Sequence, residues 1–136
     1  MSLDLRHIRL RSIAAGLLTD VGGTIAAMIL GDLVLSFIAA TKGISAEEYG
    51  RHLASGPIFQ FLSMVNGLMF SCAGALVTSL LSRPYCLLNA LLFGIFTTLT
   101  SLCFFTTSID YYTMLVCIII PPMCVMVGFF VSRSSL

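Results

Sequence analysis

The chain has 136 residues, of which 58% are hydrophobic and 10% are charged, and its formal net charge is +1. Soluble domains carry about 25% charged residues, because their exterior must be polar enough for water. The composition therefore predicts one domain, residues 1–136, that folds in a lipid bilayer. The near-zero net charge offers no electrostatic footprint for nucleic acid, so we expect no nucleic-acid partner.

Four apolar segments follow one another along the chain, at about 12–40, 58–81, 85–107 and 111–132. Each exceeds the roughly 20 residues that cross about 30 Å of hydrocarbon as a helix. Because lipid requires every segment to satisfy its own backbone hydrogen bonds, we predict an all-α bundle of four transmembrane helices. A cleaved signal peptide is the alternative for the first segment, but this apolar run is far longer than the usual stretch of about 7–15 residues.

The longest connection, about 41–57, joins the first two segments. It contains Ser45-Ala46-Glu47-Glu48, a capping-box pattern, which predicts a short surface helix over about 46–54. Pro57 suits the first turn of the next membrane helix. Ser82-Arg83-Pro84 leaves room only for a tight turn, so the second and third membrane helices are predicted to form an antiparallel hairpin.

Lysine and arginine are divided unequally between the two sides of the predicted bundle. Lys42 and Arg51 fall on the side of the long loop. The other side carries five arginines: Arg6, Arg9, Arg11, Arg83 and Arg133. Because cytoplasmic loops carry the excess of lysine and arginine, both termini are predicted to be cytoplasmic.

Two aspartates, Asp20 and Asp32, lie inside the first apolar segment. A charged carboxylate near the middle of a bilayer costs roughly 2.5 to 3.5 kcal/mol on insertion scales. At about 1.5 Å per residue, Asp20 matches the depth of Asn89 in the inner half of the membrane, and Asp32 matches that of Asn66 in the outer half. No lysine, arginine or histidine lies at either depth.

Three interpretations of this polar set stay open. The carboxylates can be structural, held by hydrogen bonds between helices. They can meet a cationic residue of another membrane subunit, or they can handle protons or cations. For Asp32 a further alternative is that the first helix lies further outward, in which case this carboxylate is solvated near the outer surface.

Small residues recur at every fourth position of three segments. The predicted helix-packing positions are Gly23, Ala27, Gly31, Gly67, Ser71, Ala75 and Gly94. In lipid, helix association depends on close backbone approach over such stripes. The stripes are either a seam between copies of the chain or intramolecular packing surfaces, and two ladders of matching length on sequential helices favour intramolecular packing.

Pro121 and Pro122 fall near the centre of the fourth segment. The pair removes two backbone donors, so a kink is predicted there. Such a kink either shapes the bundle or lines a binding site at mid-membrane.

The sequence contains no motif of an enzyme active site. G-x-S-x-G, H-E-x-x-H and a glycine-rich phosphate loop are all absent,. Asp20 and Asp32 lie about 18 Å apart along one helix, too far for an acid–base pair. The five cysteines form no C-x-x-C pair. We therefore expect no catalytic residues, no cofactor and no metal.

The hairpin over residues 67–99 resembles small four-helix bacterial membrane proteins of uncharacterised function. The residues that carry this resemblance are Gly67, Gly74, Ala75, Arg83, Asn89, Ala90 and Gly94. The resemblance covers about a quarter of the chain. It implies a multi-pass protein of the bacterial inner membrane and no activity.

The sequence as a whole indicates a non-enzymatic integral membrane protein, with the lipid bilayer as its solvent, that packs with itself or with a larger membrane complex. The alternative is a small proton- or cation-coupled transporter that uses Asp20 and Asp32.

Overall fold

A computed structural model describes residues 8–104 and 111–134 of the chain. The described residues form helices joined by short connections, with no strand among them. The helices are α1 (Leu10–Lys42), α2 (Ala46–Ala54), α3 (Pro57–Leu81), α4 (Cys86–Phe104) and α5 (Tyr111–Arg133). The all-α prediction is confirmed. The connection between the third and fourth segments, the end of the third segment and Arg6 lie outside the described residues.

Three of these helices, α1, α3 and α4, are long and apolar enough to cross a membrane. This finding confirms that the chain carries helices of membrane-spanning character. The fifth helix carries a shorter apolar run in the part of the chain that was described, Cys117–Arg133.

Local sequence signals define how α1 ends and how α2 and α3 begin. Gly43 adopts a left-handed backbone with φ of 67°, a conformation that costs a glycine little because it has no Cβ. The side chain of Ser45 accepts a hydrogen bond from the backbone N–H of Glu48 at 3.2 Å, which caps α2. Pro57 occupies the first turn of α3, where a missing N–H is harmless.

The start of α1, the end of α3, the start of α4 and the end of α5 lie together. The backbone N–H of Arg9 donates to Asn89 Oδ1 at 2.8 Å, and its guanidinium donates to the carbonyl of Leu81 at 3.3 Å. A Cβ built on Gly128 would lie 3.3 Å from the carbonyl of Cys86. We call this end of the bundle the basic end, because it also carries Arg9, Arg11, Arg83 and Arg133.

The helices pack most closely in the half of the bundle toward the basic end. A Cβ on Gly16 would lie 2.6 Å from the carbonyl of Gly74, and one on Gly74 would lie 2.7 Å from the carbonyl of Gly16. The backbones of α1 and α3 therefore cross in direct contact. The buried apolar core lies beside this crossing and consists of Ala75, Phe93, Ile120 and Cys124.

Candidate functional site

Asp20 is the buried carboxylate of the bundle. Its side chain is only 7% exposed, and Ser71 on α3 donates a hydrogen bond to Asp20 Oδ1 at 3.2 Å. Thr97 on α4 directs its hydroxyl at the same carboxylate, although the two groups do not reach hydrogen-bond geometry. We call these three residues the Asp20 cluster.

Three helices contribute to the Asp20 cluster because their residues lie at equal distances from the basic end. Asp20 is ten residues from the start of α1, Ser71 is ten residues from the end of α3, and Thr97 is eleven residues from the start of α4. At about 1.5 Å per residue, each lies roughly 15 Å from that end. On the α5 side, Cys124 lies in the buried core with Ala75 and Phe93.

Asn89 has a different location from the one expected for a partner of Asp20. It lies in the first turn of α4, is fully buried, and accepts the hydrogen bond from the N–H of Arg9. Its amide also donates to the carbonyl of Tyr85 at 2.9 Å. The Asn89 side chain therefore caps the start of α1. It accepts the backbone N–H of Arg9, which has no partner within the helix itself,. Asp20 lies three turns further into the bundle and meets Ser71 instead.

Asp32 lies on an exposed stretch of α1. It is 22 residues from the start of that helix, which is further from the basic end than the 19 described residues of α4 reach. The carboxylate is exposed and makes no hydrogen bond or ion pair with any described residue. Asn66 on α3 is half-buried, and the structure does not bring it into hydrogen-bond contact with Asp32.

The rest of this stretch is apolar and uncovered. We call residues 25–37 the distal half of α1. Its exposed large side chains are Ile25, Met28, Ile29, Leu30, Leu33, Val34 and Phe37, each more than half exposed. Gly23, at the edge of the distal half, packs against the ring of Phe70. Beyond that contact, no residue of α1 is buried until Ala39, which is 1% exposed.

The predicted helix-packing residues differ in how closely they approach a neighbour. Ser71, Ala75 and Gly94 are buried, Gly23, Ala27 and Gly67 are half-buried, and Gly31 is exposed. A Cβ on Gly94 would lie 3.1 Å from Pro121 Cα, whereas open space surrounds Gly31 and Gly67.

Sequence reasoning did not single out the closest backbone contact, which joins Gly16 to Gly74. It also did not single out Thr97. Counting residues from the basic end, rather than from the middle of each helix, would have revealed the common depth of the Asp20 cluster.

Pro121 and Pro122 lie inside α5. Neither residue has a backbone N–H, so the carbonyls of Cys117 and Ile118 lack their usual helical donors. The close approach of Gly94 to Pro121 brings α4 against this part of α5. Pro121 therefore belongs to the α4–α5 packing surface, whereas Pro122 is exposed.

Among the described residues, no group of three or more histidine, cysteine, aspartate or glutamate side chains is arranged to hold a metal ion. Comparisons with protein-family models, with curated proteins and with solved structures give no match to this chain. The two aspartates and their surroundings are therefore the features of the molecule that bear on its function.

Proposed function

We propose that this chain is a non-enzymatic integral membrane protein that crosses the bilayer four times, with both termini in the cytoplasm, and binds another membrane protein through the distal half of α1. A bacterial inner membrane is the proposed location. The observation that carries the proposal is Asp32, an exposed carboxylate on an apolar helix surface that no described residue covers.

The fourth crossing is supported by the length of α5. Its 23 residues span about 34 Å as a helix, against about 30 Å of hydrocarbon. The orientation is supported by charge. Arg9, Arg11, Arg83 and Arg133 share the basic end. At the opposite end Arg51 pairs with Glu47 at 3.4 Å, and basic residues mark the cytoplasmic side.

Two features of the distal half of α1 favour a protein partner over lipid as its surroundings: the position of Asp32 and the length of the apolar run. The apolar run continues past Asp32 to Ala40, so hydrocarbon or protein must surround the carboxylate on both sides. Residues 12–40 span about 43 Å as a helix, and even a tilt of about 40° leaves them longer than the hydrocarbon of an ordinary bilayer. A partner helix relieves both the length mismatch and the exposed charge.

Charge complementarity defines the partner. A carboxylate in hydrocarbon is stabilised by a lysine or arginine on a facing helix. A second copy of this chain, related by a two-fold axis along the membrane normal, would instead oppose one Asp32 with another, and like charges repel. We therefore commit to a different membrane protein that carries a basic residue within a transmembrane helix.

The test is site-specific photo-crosslinking in native membranes. A photoreactive residue replaces Ile29 in the distal half, which is 57% exposed, and the matched control replaces Met126 on α5, which is 59% exposed. We expect one protein adduct from position 29 and none from position 126. The adduct should be lost with Asp32→Asn and kept with Asp32→Glu.

A reciprocal charge exchange separates docking from chance proximity. Asp32→Lys should abolish the adduct, and replacing the partner's intramembrane basic residue with aspartate should restore it. Lipid adducts alone would show that nothing covers the distal half. An adduct only between copies of this chain would replace the proposed partner with a homo-oligomer.

A small proton- or cation-coupled transporter is the second candidate, favoured by the buried Asp20 cluster. Asp32 does not share that cluster, because it is exposed on the distal half of α1. Two surface depressions of the described residues lie at opposite ends of the bundle. One is lined by Ser45, Glu48, Arg51 and His52. The other is lined by Ile8, Arg9, Leu10, Arg11, Ser12 and Leu81. Neither lining includes Asp20 or Asp32. The test is ion flux into proteoliposomes that contain the purified chain. A flux that is abolished by Asp20→Asn would establish transport as the function.

A further inference from the structure

The Asp20 cluster contains more oxygen ligands than its hydrogen bonds use. Ser71 and Thr97 are both 3% exposed, and Asp20 is 7% exposed. Ser71 donates to one carboxylate oxygen. The Thr97 hydroxyl faces the carboxylate and has no hydrogen-bond partner within the described residues. A buried hydroxyl without a partner is costly, so such groups in native structures normally serve a ligand or a network.

The charge of the cluster is also uncompensated within the bundle. Arg51 and Glu47 form the ion pair found in the described part of the chain, and both are exposed at the other end of α1 and α3. No described lysine or arginine pairs with Asp20. A buried carboxylate in a membrane bundle needs a proton or a positive ion.

We propose that Asp20, Ser71 and Thr97 form a binding site for a small monovalent cation, with sodium as the ligand. The donor set consists of carboxylate and hydroxyl oxygens, the ligands that hard cations prefer. One carboxylate balances one positive charge. A divalent ion would leave a net positive charge in a low-dielectric interior, which disfavours calcium and magnesium.

The position of the site gives the cation a structural consequence. Its three ligands come from α1, α3 and α4, so an ion held among them joins three helices. The site lies beside the Gly16–Gly74 crossing, only one turn further along α1 and α3. Cation binding therefore stabilises the closely packed half of the bundle. This inference is independent of the proposed partner at Asp32.

The test measures thermal unfolding of the purified chain in nanodiscs made of zwitterionic lipid. Sodium chloride is titrated against choline chloride at constant ionic strength and constant pH. A ligand that binds only the folded state raises the melting temperature as its concentration passes the dissociation constant. We expect such a rise with sodium and no rise with choline.

Three variants assign the effect to the cluster. Asp20→Asn should abolish the sodium dependence, and Thr97→Val should shift its midpoint at least tenfold to higher concentration. Thr100→Val is the matched control, because Thr100 lies on the same helix, is half-exposed and bonds only to its own helix, at the carbonyl of Phe96. The control should keep the midpoint of the native chain.

A direct measurement of sodium binding keeps the test decisive if the Asp20→Asn variant does not fold. Radioactive sodium should bind the native chain with a stoichiometry of one, and Thr97→Val should weaken this binding. Equal melting in sodium and choline would overturn the proposal. Melting that depends on pH but not on sodium would also overturn it, because a proton would then satisfy Asp20. The isolated chain is used throughout, so either failure leaves the docking proposal unaffected.

Discussion

Gly16 and Gly74 determine how closely α1 and α3 approach. A Cβ on Gly16 would lie 2.6 Å from the carbonyl of Gly74 and would also collide with the hydroxyl of Thr78. Overpacking of this kind typically costs about 1–3 kcal/mol, so Gly16→Ala should lower the melting temperature of the purified chain.

The matched control is Gly22→Ala on the same helix. Gly22 is exposed, and no atom lies within 4 Å of a Cβ built there. Alanine is favoured over glycine in a helix by up to about 1 kcal/mol, so this variant should melt at the same temperature as the native chain or higher. Equal destabilisation by the two substitutions would contradict the close crossing.

Asn89 stabilises the start of α1 from a neighbouring helix. Its side-chain oxygen accepts the N–H of Arg9 at 2.8 Å in a fully buried position. Asn89→Leu should destabilise the chain by about 1–3 kcal/mol, because the N–H is left without an acceptor. Asn89→Asp retains an acceptor oxygen and should recover part of the loss.

The stability of both Asn89 variants is measured by thermal melting or by titration with a denaturing detergent. If leucine and aspartate are equally harmful, the amide contributes through its donor to Tyr85 rather than through the cap on α1. If neither matters, the cap is dispensable.

At the scale of single residues, the sequence predicts chemistry better than geometry. The cost of a carboxylate in lipid identifies Asp20 and Asp32 from residue type alone. Their surroundings depend on helix rotation and on where each helix begins. Those quantities come from packing between helices, and the ladder of every fourth residue does not reveal that the closest contact runs through Gly16 and Gly74.

At the scale of elements, α1 has two environments. Its first half packs against α3 and α4 and buries Ser12, Ile13, Gly16 and Asp20. The distal half is exposed, with Phe37 at 73%. We expect a lipid-soluble carbene reagent to label the distal half heavily in the purified chain and to label the buried positions of α3 weakly, namely Ser71, Gly74, Ala75, Thr78 and Ser79.

The same labelling in native membranes tests the proposed partner at the level of the helix. A protein bound to the distal half should reduce its labelling several-fold, while the labelling of Met126 on α5, which is exposed at 59%, should not change. Peptide mass spectrometry provides the ratio. Identical footprints in the two preparations would argue that lipid, and not protein, surrounds this half of α1.

Element boundaries follow from the sequence where a local cause sets them. Ser45 and Glu48 determine where α2 begins, and Pro57 marks the start of α3. The relative positions of the helix ends in the bundle could not be predicted in the same way. The structure gives α1 33 residues, Leu10–Lys42, where the sequence predicts a segment of about 12–40, and only the packed bundle reveals that α1 and α4 both begin at the basic end.

At the scale of the whole molecule, charge and burial define one axis through the bundle. The basic end joins Arg9 to the ends of α3 and α4 through hydrogen bonds and contains the closest helix packing. The opposite end carries α2, with Glu47, Glu48 and Arg51 exposed. Packing is therefore tightest on the side that the positive-inside rule assigns to the cytoplasm.

That axis predicts where water-soluble reagents reach the chain. Gly50 lies on α2 and Arg83 lies in the turn between α3 and α4, so they belong to opposite ends.

With Gly50→Cys, a membrane-impermeant maleimide added to intact cells should label the chain from outside. With Arg83→Cys, labelling should require permeabilised cells, because the positive charges of that end hold it in the cytoplasm. The unsubstituted chain provides the blank, because it carries five cysteines of its own, of which Cys103 is exposed. Labelling of both variants from the same side would contradict the proposed topology, and labelling of Arg83→Cys alone from outside would invert it.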